Sequence, residues 1–360
     1  FLFLDRIMAV TSRHTNFPSL PDIKSKIPSD CFRAELGTSL YYVFRSVIFV
    51  IGLFAAAFML LEPSSSFYLE SKSARTCVWT LYWYIQGTVF WGIFVLGHDC
   101  GHASFSKYPT VNYIFGNILH SFILVPYESW KTTHRLHHKN TGNMDKDEIY
   151  YPHRESTHWN SFKRYFVGTL SVAWMVYLYG ERHLSPFVDI YNKNRLAVTG
   201  SISCWALFFA GFVYSCFYFG VEAVGVYYFI PLLVFMAWLV LTTFLHHQDV
   251  DAPWYGNSEW TYVKGNMSSI DRSYGYVIDN IIHNIGTHQI HHLFPKIPHY
   301  KLNEATAAFR AAYPDFVRQS SESNIPAFFN NWIVYCKYAF APNGVDYFCY
   351  RDAIKQSRKS

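Results

Sequence analysis

Residues 283–300 read HNIGTHQIHHLFPKIPHY and contain five histidines. Three of them, His288, His291 and His292, stand in the pattern H-x-x-H-H. On a helix, residues i, i+3 and i+4 lie on one face, so the three imidazole rings would point in the same direction. This stretch therefore predicts a helix that presents several metal-ligating side chains together.

The same pattern occurs a second time in the chain. His134, His137 and His138 repeat H-x-x-H-H, and His98 and His102 form an H-x-x-x-H pair. With 17 histidines in 360 residues, chance produces H-x-x-H-H at a given start position only about once in 10⁴. Two copies with an additional i,i+4 pair indicate a shared function, not scattered surface or core histidines.

The composition is that of a membrane protein. The chain is 51% hydrophobic, 20% aromatic and 15% charged, whereas soluble proteins usually carry about 25% charged residues. A net charge of +5 without a run of basic residues excludes a nucleic-acid signature. Seven cysteines without a C-x-x-C motif suggest no disulfide framework. The sequence begins at Phe1 and not at a methionine. A start of translation at Met8 and the loss of a transit peptide are both kept as alternatives.

Four apolar stretches predict membrane-spanning helices, at residues 41–61, 76–97, 198–219 and 221–245. The first would be about 31 Å long at 1.5 Å per residue, which is enough to cross the hydrocarbon core. Two further apolar stretches, 112–125 and 166–180, are too short to cross, so we expect re-entrant or interfacial segments there. Residues 1–40 are expected to form a cytosolic or interfacial arm along the membrane surface, and residues 41–360 a single domain.

Four spans would place all the histidine motifs on one side of the membrane. With a cytosolic N-terminus, residues 98–197 and 246–360 return to the cytosol and form a helical cap. Of the 30 Lys and Arg residues, only Lys72 and Arg75 fall in loops on the far side, as the positive-inside rule requires. The predicted fold is therefore an all-α integral membrane protein of four spans, with a cytosolic helical cap that holds a di-metal site.

Eight imidazoles on one side are more than a single zinc ion needs, since four ligands close a structural zinc site and three serve a catalytic one. They suit two metals with four or five nitrogen ligands each. Imidazole binds Zn, Fe, Cu or Ni, so the ligand type leaves the metal open. His98 and His102 follow the second span, and His246 and His247 end the fourth. Redox metals at this interface would act on a lipid, and iron with dioxygen suits an unactivated C–H bond.

The motifs HDCGH (98–102), HRLHH (134–138) and HQIHH (288–292) resemble the three histidine boxes of the membrane fatty acid desaturases. Three residues separate the histidines of the first box, as in methyl-end desaturases, and the third box opens with His288 where front-end enzymes have Gln. No HPGG haem-binding motif is present. The stretches IGTHQIHHLFPKIPHY and IDRSYG (270–275) are most similar to ω-3 desaturases, although Lys301 departs from the IPHYH of that family.

The resemblance implies nine iron ligands when the boxes are carried over residue by residue. They are His98, His102, His134, His137, His138, His247, His288, His291 and His292. The ninth is the histidine that follows the last span. The sequence TFLHHQD matches the T-Y-L-x-H of the family if His247 is that ligand, and His246 is the competitor. His283 is either a ligand, a partner of one, or a helix-packing histidine.

The other histidines are expected to have plainer roles. His120 is interpreted as a packed histidine and His299 as structural, while solvated positions are predicted for His14, His153, His158 and His183. Metal-bound imidazoles usually donate their second N–H to a carboxylate or carbonyl. Candidate carboxylates are Asp99, Asp145, Asp147, Asp249 and Asp279. Tyr127 and Trp130 resemble positions beside the acyl channel of the family, with core packing as the alternative.

The resemblance implies a non-haem di-iron desaturase that uses O2 to insert a cis double bond at the ω-3 position of polyunsaturated acyl chains. A Δ12 desaturase, or a related hydroxylase or acetylenase, shares the same boxes. A membrane metal transporter is the more remote alternative, because the predicted spans are apolar, with Met59 and Met236 as their thioethers. The expected electron donor is cytochrome b5 with its NADH reductase in the endoplasmic reticulum membrane, or ferredoxin in a plastid. The mildly basic cytosolic side suits an acidic donor.

Overall fold

The computed structural model of the protein describes residues 16–155 and 165–358, and most of these residues are helical. In chain order the described helices are α1 (Leu20–Lys26), α2 (Leu36–Leu61), α3 (Lys72–His102), α4 (Pro109–Phe122), α5 (Tyr127–Asn140), α6 (Ser171–Leu178), α7 (Glu181–Leu184), α8 (Arg195–Phe219), α9 (Val221–His247), α10 (Tyr262–Asn266), α11 (Tyr276–Ile281), α12 (His288–Leu293), α13 (His299–Ala312), α14 (Asn324–Tyr338) and α15 (Tyr350–Ser357). A π-helical turn at Gly225–Phe229 interrupts α9.

Six two-residue strands join distant parts of the chain. They are β1 (His153–Arg154), β2 (Trp254–Tyr255), β3 (Asp271–Arg272), β4 (Gln319–Ser320), β5 (Phe340–Ala341) and β6 (Tyr347–Phe348). β1 pairs with β5 and β3 with β4 in parallel, and β2 pairs with β6 antiparallel. The fold is therefore mainly helical, and these pairings tie the C-terminal tail to the loops around the histidine motifs.

Among the described residues, three helices are long and apolar enough to cross a membrane: α2, α8 and α9. They coincide with the predicted spans 41–61, 198–219 and 221–245. α2 begins five residues before the predicted span, at Leu36. Its polar first turns are accommodated because Ser39, which is buried, donates to the carbonyl of Phe105 at 2.8 Å.

The fourth predicted span, 76–97, is helical within α3 but is not among the three apolar helices. α3 is the central helix of the molecule and packs against α2, α4 and α9. Every residue from Gln86 to Cys100 is buried. α9 comes so close that a Cβ added at Gly87 would lie 2.5 Å from Val234 Cβ. Since protein surrounds this stretch, its sequence does not need the apolar surface of a lipid-facing helix.

Both short apolar stretches form elements that are too short to cross. Residues 112–125 lie in and after α4, which has 14 residues and is about 21 Å long. Residues 166–180 form a 3-10 turn at Val167–Thr169 and then α6, whose Ser171 donates to the carbonyl of Leu233 in α9 at 2.7 Å. α6 thus lies along α9.

α8 and α9 are joined through Gly220, which has φ 88°, as a tight helix connection requires. The two helices then pack against different partners. α8 contacts α4 and α5, whereas α9 contacts α3 and α6. This divergence leaves α3, α6 and α9 as three walls around an interior space.

The N-terminal arm packs against the C-terminal part of the chain. Ile23 and Cys31 are completely buried in a cluster with Ile290, Leu293 and Leu302. The apolar side chains of the arm cover α12 and α13, and this contact supports the segment that carries the third histidine motif. Residues 1–15 of the predicted arm lie outside the described residues. The placement of the arm along the membrane surface stays a prediction.

Candidate metal centre

Five box histidines form a first group, called group one, whose nitrogen atoms can approach a common point. The members are His98, His102, His134, His138 and His291, with one ring nitrogen of each within 4.8 Å of the others. The Nε2 atom of His102 lies 3.2 Å from that of His98 and 3.1 Å from that of His134. His138 Nε2 lies 3.0 Å from His134 Nε2. Three helices, α3, α5 and α12, supply this group.

The remaining four predicted ligands form a second group, called group two. His137, His247 and His292 lie within the same 4.8 Å limit. His288 joins them, because its Nε2 lies 3.1 Å from His247 Nε2 and 2.9 Å from His292 Nε2. The two groups adjoin one another: the rings of His138 and His292 stack with centroids 4.1 Å apart. The structure therefore brings all nine predicted ligands together.

The H-x-x-H-H spacing divides each of two helices between the two groups. In α5, His134 and His138 belong to group one and His137 to group two. In α12 the assignment is reversed, since His288 and His292 belong to group two and His291 to group one. Each helix thus gives two side chains one turn apart to one group and the side chain at i+3 to the other.

For two of the imidazole rings, hydrogen bonds determine which ring nitrogen carries the free lone pair. His137 Nδ1 donates to Asp147 Oδ1 at 2.7 Å, so its Nε2 is the acceptor that faces group two. His292 Nδ1 lies 3.2 Å from the Asn266 side-chain oxygen, to which it donates, so its Nε2 also faces inward. Lone pairs that converge in a buried site repel each other unless a cation lies between them. The donor set therefore fits a bound metal ion.

The distances agree with this interpretation. Two nitrogens bound to one metal at about 2.1 Å and at right angles would be about 3.0 Å apart. The Nε2 pairs of the two groups are separated by 2.9–3.2 Å.

Burial keeps the cap histidines neutral. It lowers the pKa of His134, His138, His288, His291 and His292 well below the ordinary range. The neighbouring imidazoles lower these pKa values further, because a second positive charge would be repelled. Neutral imidazole is the form that binds a metal.

Two of the five predicted outer carboxylates lie beside a box histidine. Asp147, which is buried, accepts from His137. Asp99 Oδ1 lies 3.7 Å from His98 Nδ1, and its other oxygen accepts from His299 Nδ1 at 2.9 Å. The other three bind elsewhere: Asp145 pairs with Arg154, Asp249 with Arg272, and Asp279 accepts from Ser273 and the Tyr274 amide.

The ambiguous histidines separate clearly in space. His246 Nδ1 donates to the carbonyl of Ile270 at 2.7 Å, and its Nε2 accepts from the Tyr274 hydroxyl at 3.1 Å. Both nitrogens are therefore engaged, and His247, not His246, faces group two. His283 lies outside both groups, with Nδ1 3.3 Å from an Arg45 nitrogen and its ring 4.5 Å from that of His299.

The expectations for three other histidines can be compared with the structure. His120 is packed, since its Nε2 donates to the carbonyl of Phe94 at 3.1 Å and its ring stacks on that side chain. His183 was expected to be solvated, and this is wrong: it is 1% exposed, because its Nδ1 donates to the Tyr177 carbonyl and Thr133 bonds its Nε2. His153 is half-buried. His14 and His158 lie outside the described residues.

A cavity of about 550 Å³ reaches both groups. Its walls are apolar and aromatic side chains of α3, α6 and α9: Trp91, Phe94, Val95, Ala173, Trp174, Val176, Tyr177, Leu239 and Val240. His98 and His134 of group one and His288 of group two also line it. From His98 to Trp91 the wall follows α3 for about 10 Å. At the polar rim Arg182 donates to Glu148 at 3.0 Å.

Sequence analysis missed several residues that shape this site. Asn266, which bonds His292, lies far from any box in the sequence, and no motif marks it. Tyr335 lines the cavity from α14, again without a motif. Trp130 lines the cavity as the resemblance suggests, whereas Tyr127 is fully buried against α4, where a Cβ at Gly116 would lie 2.2 Å from its ring.

Comparisons with known proteins agree with the motifs. A family model described as fatty acid desaturase matches residues 78–322, a range that contains all nine histidines. The chain is 40% identical to the acyl-lipid omega-3 desaturase (cytochrome b5), endoplasmic reticulum, of Arabidopsis thaliana, over 84% of this chain and 78% of that protein. It is 40% identical to the omega-3 fatty acid desaturase, endoplasmic reticulum, of Nicotiana tabacum, over 84% and 80%. It is 38% identical to the sn-1 acyl-lipid omega-3 desaturase (ferredoxin) of Nostoc sp. (strain 36), over 88% and 87%.

Proposed function

Because the chain belongs to the fatty acid desaturase family, we propose that it introduces a cis double bond at the ω-3 position of polyunsaturated acyl chains. The reaction would use O2 at two non-haem irons. Group one would bind one iron and group two the other, with the nine predicted histidines as ligands. The relatives named as omega-3 desaturases support this regiochemistry.

One observation supports the function most directly: the cavity walls include histidines of both groups. An acyl chain in the cavity would lie against His98, His134 and His288. The walls beyond them are apolar and aromatic, so they bind a hydrocarbon chain and exclude water. Bound iron with O2 supplies the oxidising power for the removal of two hydrogen atoms. The protein side chains hold the metals, position the chain and stay neutral.

The charges at the rim of the cavity favour a substrate whose acyl chain is part of a lipid. Arg182 and Glu148 pair with each other there, so their charges cancel. Acyl-lipid is also the substrate class in the names of two relatives. A chain esterified in a membrane glycerolipid is therefore the substrate that we propose.

We propose that α3 crosses the membrane as a fourth span beside α2, α8 and α9. Its buried stretch is surrounded by the apolar helices α2 and α9, which supports this placement. Both termini and the metal site would then face the cytosol in the endoplasmic reticulum membrane, or the stroma in a plastid. Relatives carry cytochrome b5 or ferredoxin in their names, and such carriers are the proposed source of electrons. Cytochrome b5 would in turn be reduced by its NADH reductase.

Fatty acid analysis of a host without ω-3 fatty acids tests the function. Cells that express the wild-type chain and receive 18- and 20-carbon polyunsaturated substrates should form a new double bond three carbons from the methyl end. His137→Ala should abolish this product. Asp145→Asn, a change in the loop after α5 that touches no histidine, should retain it. Equal profiles for wild type and His137→Ala would remove the enzymatic interpretation.

The same analysis separates the alternatives. A new Δ12 bond in a monounsaturated chain would identify a Δ12 desaturase, and a hydroxylated product would identify a hydroxylase. A triple bond would identify an acetylenase. Metal uptake by vesicles that is lost in His134→Ala would instead support a transporter.

A further inference from the structure

Three basic side chains form a row along one side of α5. Lys131, Arg135 and Lys139 are spaced by four residues, so they lie above one another on the helix surface. We call them the basic row. Arg135 and Lys139 are exposed, while Lys131 is half-buried and pairs with Glu128 at 2.8 Å. Within residues 16–155 and 165–358, no carboxylate forms an ion pair with Arg135 or Lys139. Two cations are therefore free to meet an outside partner.

The basic row runs beside the ligands of group one. On α5 Lys131 is three residues from His134 and Arg135 is three residues from His138, and such residues are surface neighbours. Lys139 follows Arg135 one turn further along the helix. The aliphatic part of the Lys131 side chain packs against Gly101, the residue before His102. Arg135 lies within electrostatic range of His102. The row thus borders the end of α3, where the first box reaches the surface.

Group one is the more accessible of the two groups on this side. His102 is partly exposed, does not line the cavity, and is followed by the exposed Ala103. The four histidines of group two are all buried. Electron transfer slows steeply with distance, so the partly exposed edge of His102 beside the basic row offers an outside electron a short route to group one.

The row also points away from the lipid. The amide of Glu128 donates to Ser201, inside α8, at 3.0 Å. One turn later Thr132 accepts from Asn194, the residue before α8 begins, at 3.2 Å. α5 therefore runs outward past the polar end of a membrane-crossing helix. Arg135 and Lys139 lie further along that direction, where a protein in solution can reach them more readily than lipid headgroups can.

We propose that the basic row is the docking surface for a one-electron carrier with an acidic face. This inference rests on the proposed desaturase function. Each turnover removes two hydrogen atoms from the chain and reduces O2 to two molecules of water. The acyl chain supplies two of the four electrons, and the carrier supplies the other two in separate dockings, while two protons come from solution. Opposite charges at the docking faces would steer each encounter.

The test measures how fast the iron-loaded protein, with acyl-lipid substrate and O2, reoxidises reduced cytochrome b5, with reduced ferredoxin in a parallel series. The variant is Arg135→Gln with Lys139→Gln. The control is Lys337→Gln with Lys355→Gln, two exposed lysines on α14 and α15. At low salt the second-order rate constant should fall about tenfold in the variant and depend less on ionic strength. The control should match wild type, and the variant should reach the wild-type rate at saturating carrier.

Several results would overturn the proposal. The docking surface is wrong if the variant and control have equal rate constants, or if the variant has the same salt dependence as wild type. It is also wrong if the defect is present with anionic vesicles and absent with neutral vesicles, since the row would then bind lipid. Iron content and thermal midpoint show whether the variant is folded. A wild-type protein without substrate-dependent reoxidation would instead refute the desaturase function.

Discussion

Replacement of Asp147 by Asn tests whether the contact of this buried carboxylate with His137 holds a metal ligand in place. Asp147 Oδ1 accepts from His137 Nδ1 at 2.7 Å and from the Glu148 amide at 2.7 Å, and Oδ2 accepts from the Gly142 amide at 3.0 Å. Asn has nearly the same shape but one acceptor oxygen. Its NH2 group must face either the imidazole N–H or the Gly142 N–H, and each choice sets two donors against each other.

The expected loss can be stated as a free energy. Removal of an outer partner of a metal-bound histidine typically lowers metal affinity 10- to 100-fold, which is about 1.4–2.8 kcal/mol. A buried donor left without an acceptor would cost a further ~1–3 kcal/mol of folding stability. Group two contains His137, so its iron should be lost first. We expect iron per chain to fall from about two towards one under chelator competition.

The assay is iron per folded chain, titrated against a chelator, together with the thermal midpoint of the iron-free protein. Asp145→Asn is the matched control, because Asp145 lies two residues away and pairs with Arg154 at 2.9 Å without contact to a histidine. The reasoning fails if Asp147→Asn binds iron as tightly as wild type. It fails equally if Asp145→Asn loses as much iron, since the loop and not the hydrogen bond would then be responsible.

Three further outcomes follow from packing, ligand choice and burial. Gly97→Ala should lower the free energy of unfolding by about 1–3 kcal/mol, measured as a lower thermal midpoint, because the new Cβ would lie 2.2 Å from a ring carbon of the buried His120. Gly52→Ala, where the new Cβ has nothing within 4 Å, should leave the midpoint unchanged. His247→Gln should lose iron from group two and His246→Gln should keep it, which iron analysis would show. Burial lowers the pKa of His183 to about 4, below the ~6.5 of an unfolded imidazole. Below pH 6.5 the unfolded chain therefore binds a proton that the folded chain does not, so the free energy of unfolding should fall by up to ~3 kcal/mol between about pH 6.5 and pH 4. In denaturant titrations, His183→Gln should make the free energy of unfolding depend less on pH over this range.

The histidine boxes could be found from the sequence because ligand geometry is local. A spacing of i, i+3 and i+4 fixes which side chains share a helix face, whatever the helix packs against. The family identified from these boxes is confirmed by the match over residues 78–322. The choice of His247 over His246 needed the alignment to the family motif, since two adjacent histidines at the end of a helix carry equal local signals. In the structure the Ile270 carbonyl and Tyr274 engage His246.

Burial of polar side chains could not be predicted in the same way. His183 has no spacing partner, so its sequence context indicated a solvated residue, but the carbonyl of Tyr177 and the hydroxyl of Thr133 satisfy both of its nitrogens. The stretch 76–97 was predicted as a span from its apolar character and is helical within α3, but nothing in the segment indicated that other helices would bury it. Both cases depend on contacts between residues far apart in the chain, and periodicity within a segment carries no information about these contacts.

The division of ligands between the two groups also depends on tertiary packing, and it explains why the spacing is H-x-x-H-H. With H-x-x-x-H alone, each helix would serve one group. The histidine at i+3 points about 60° away from the one at i and about 100° away from the one at i+4, so His137 and His291 reach across to the other group. Each group therefore contains side chains of both α5 and α12, and neither helix can shift without disturbing both. Lone pairs of neutral nitrogens about 3 Å apart repel without a cation, so metal binding should contribute to the docking of these helices as well as to the chemistry.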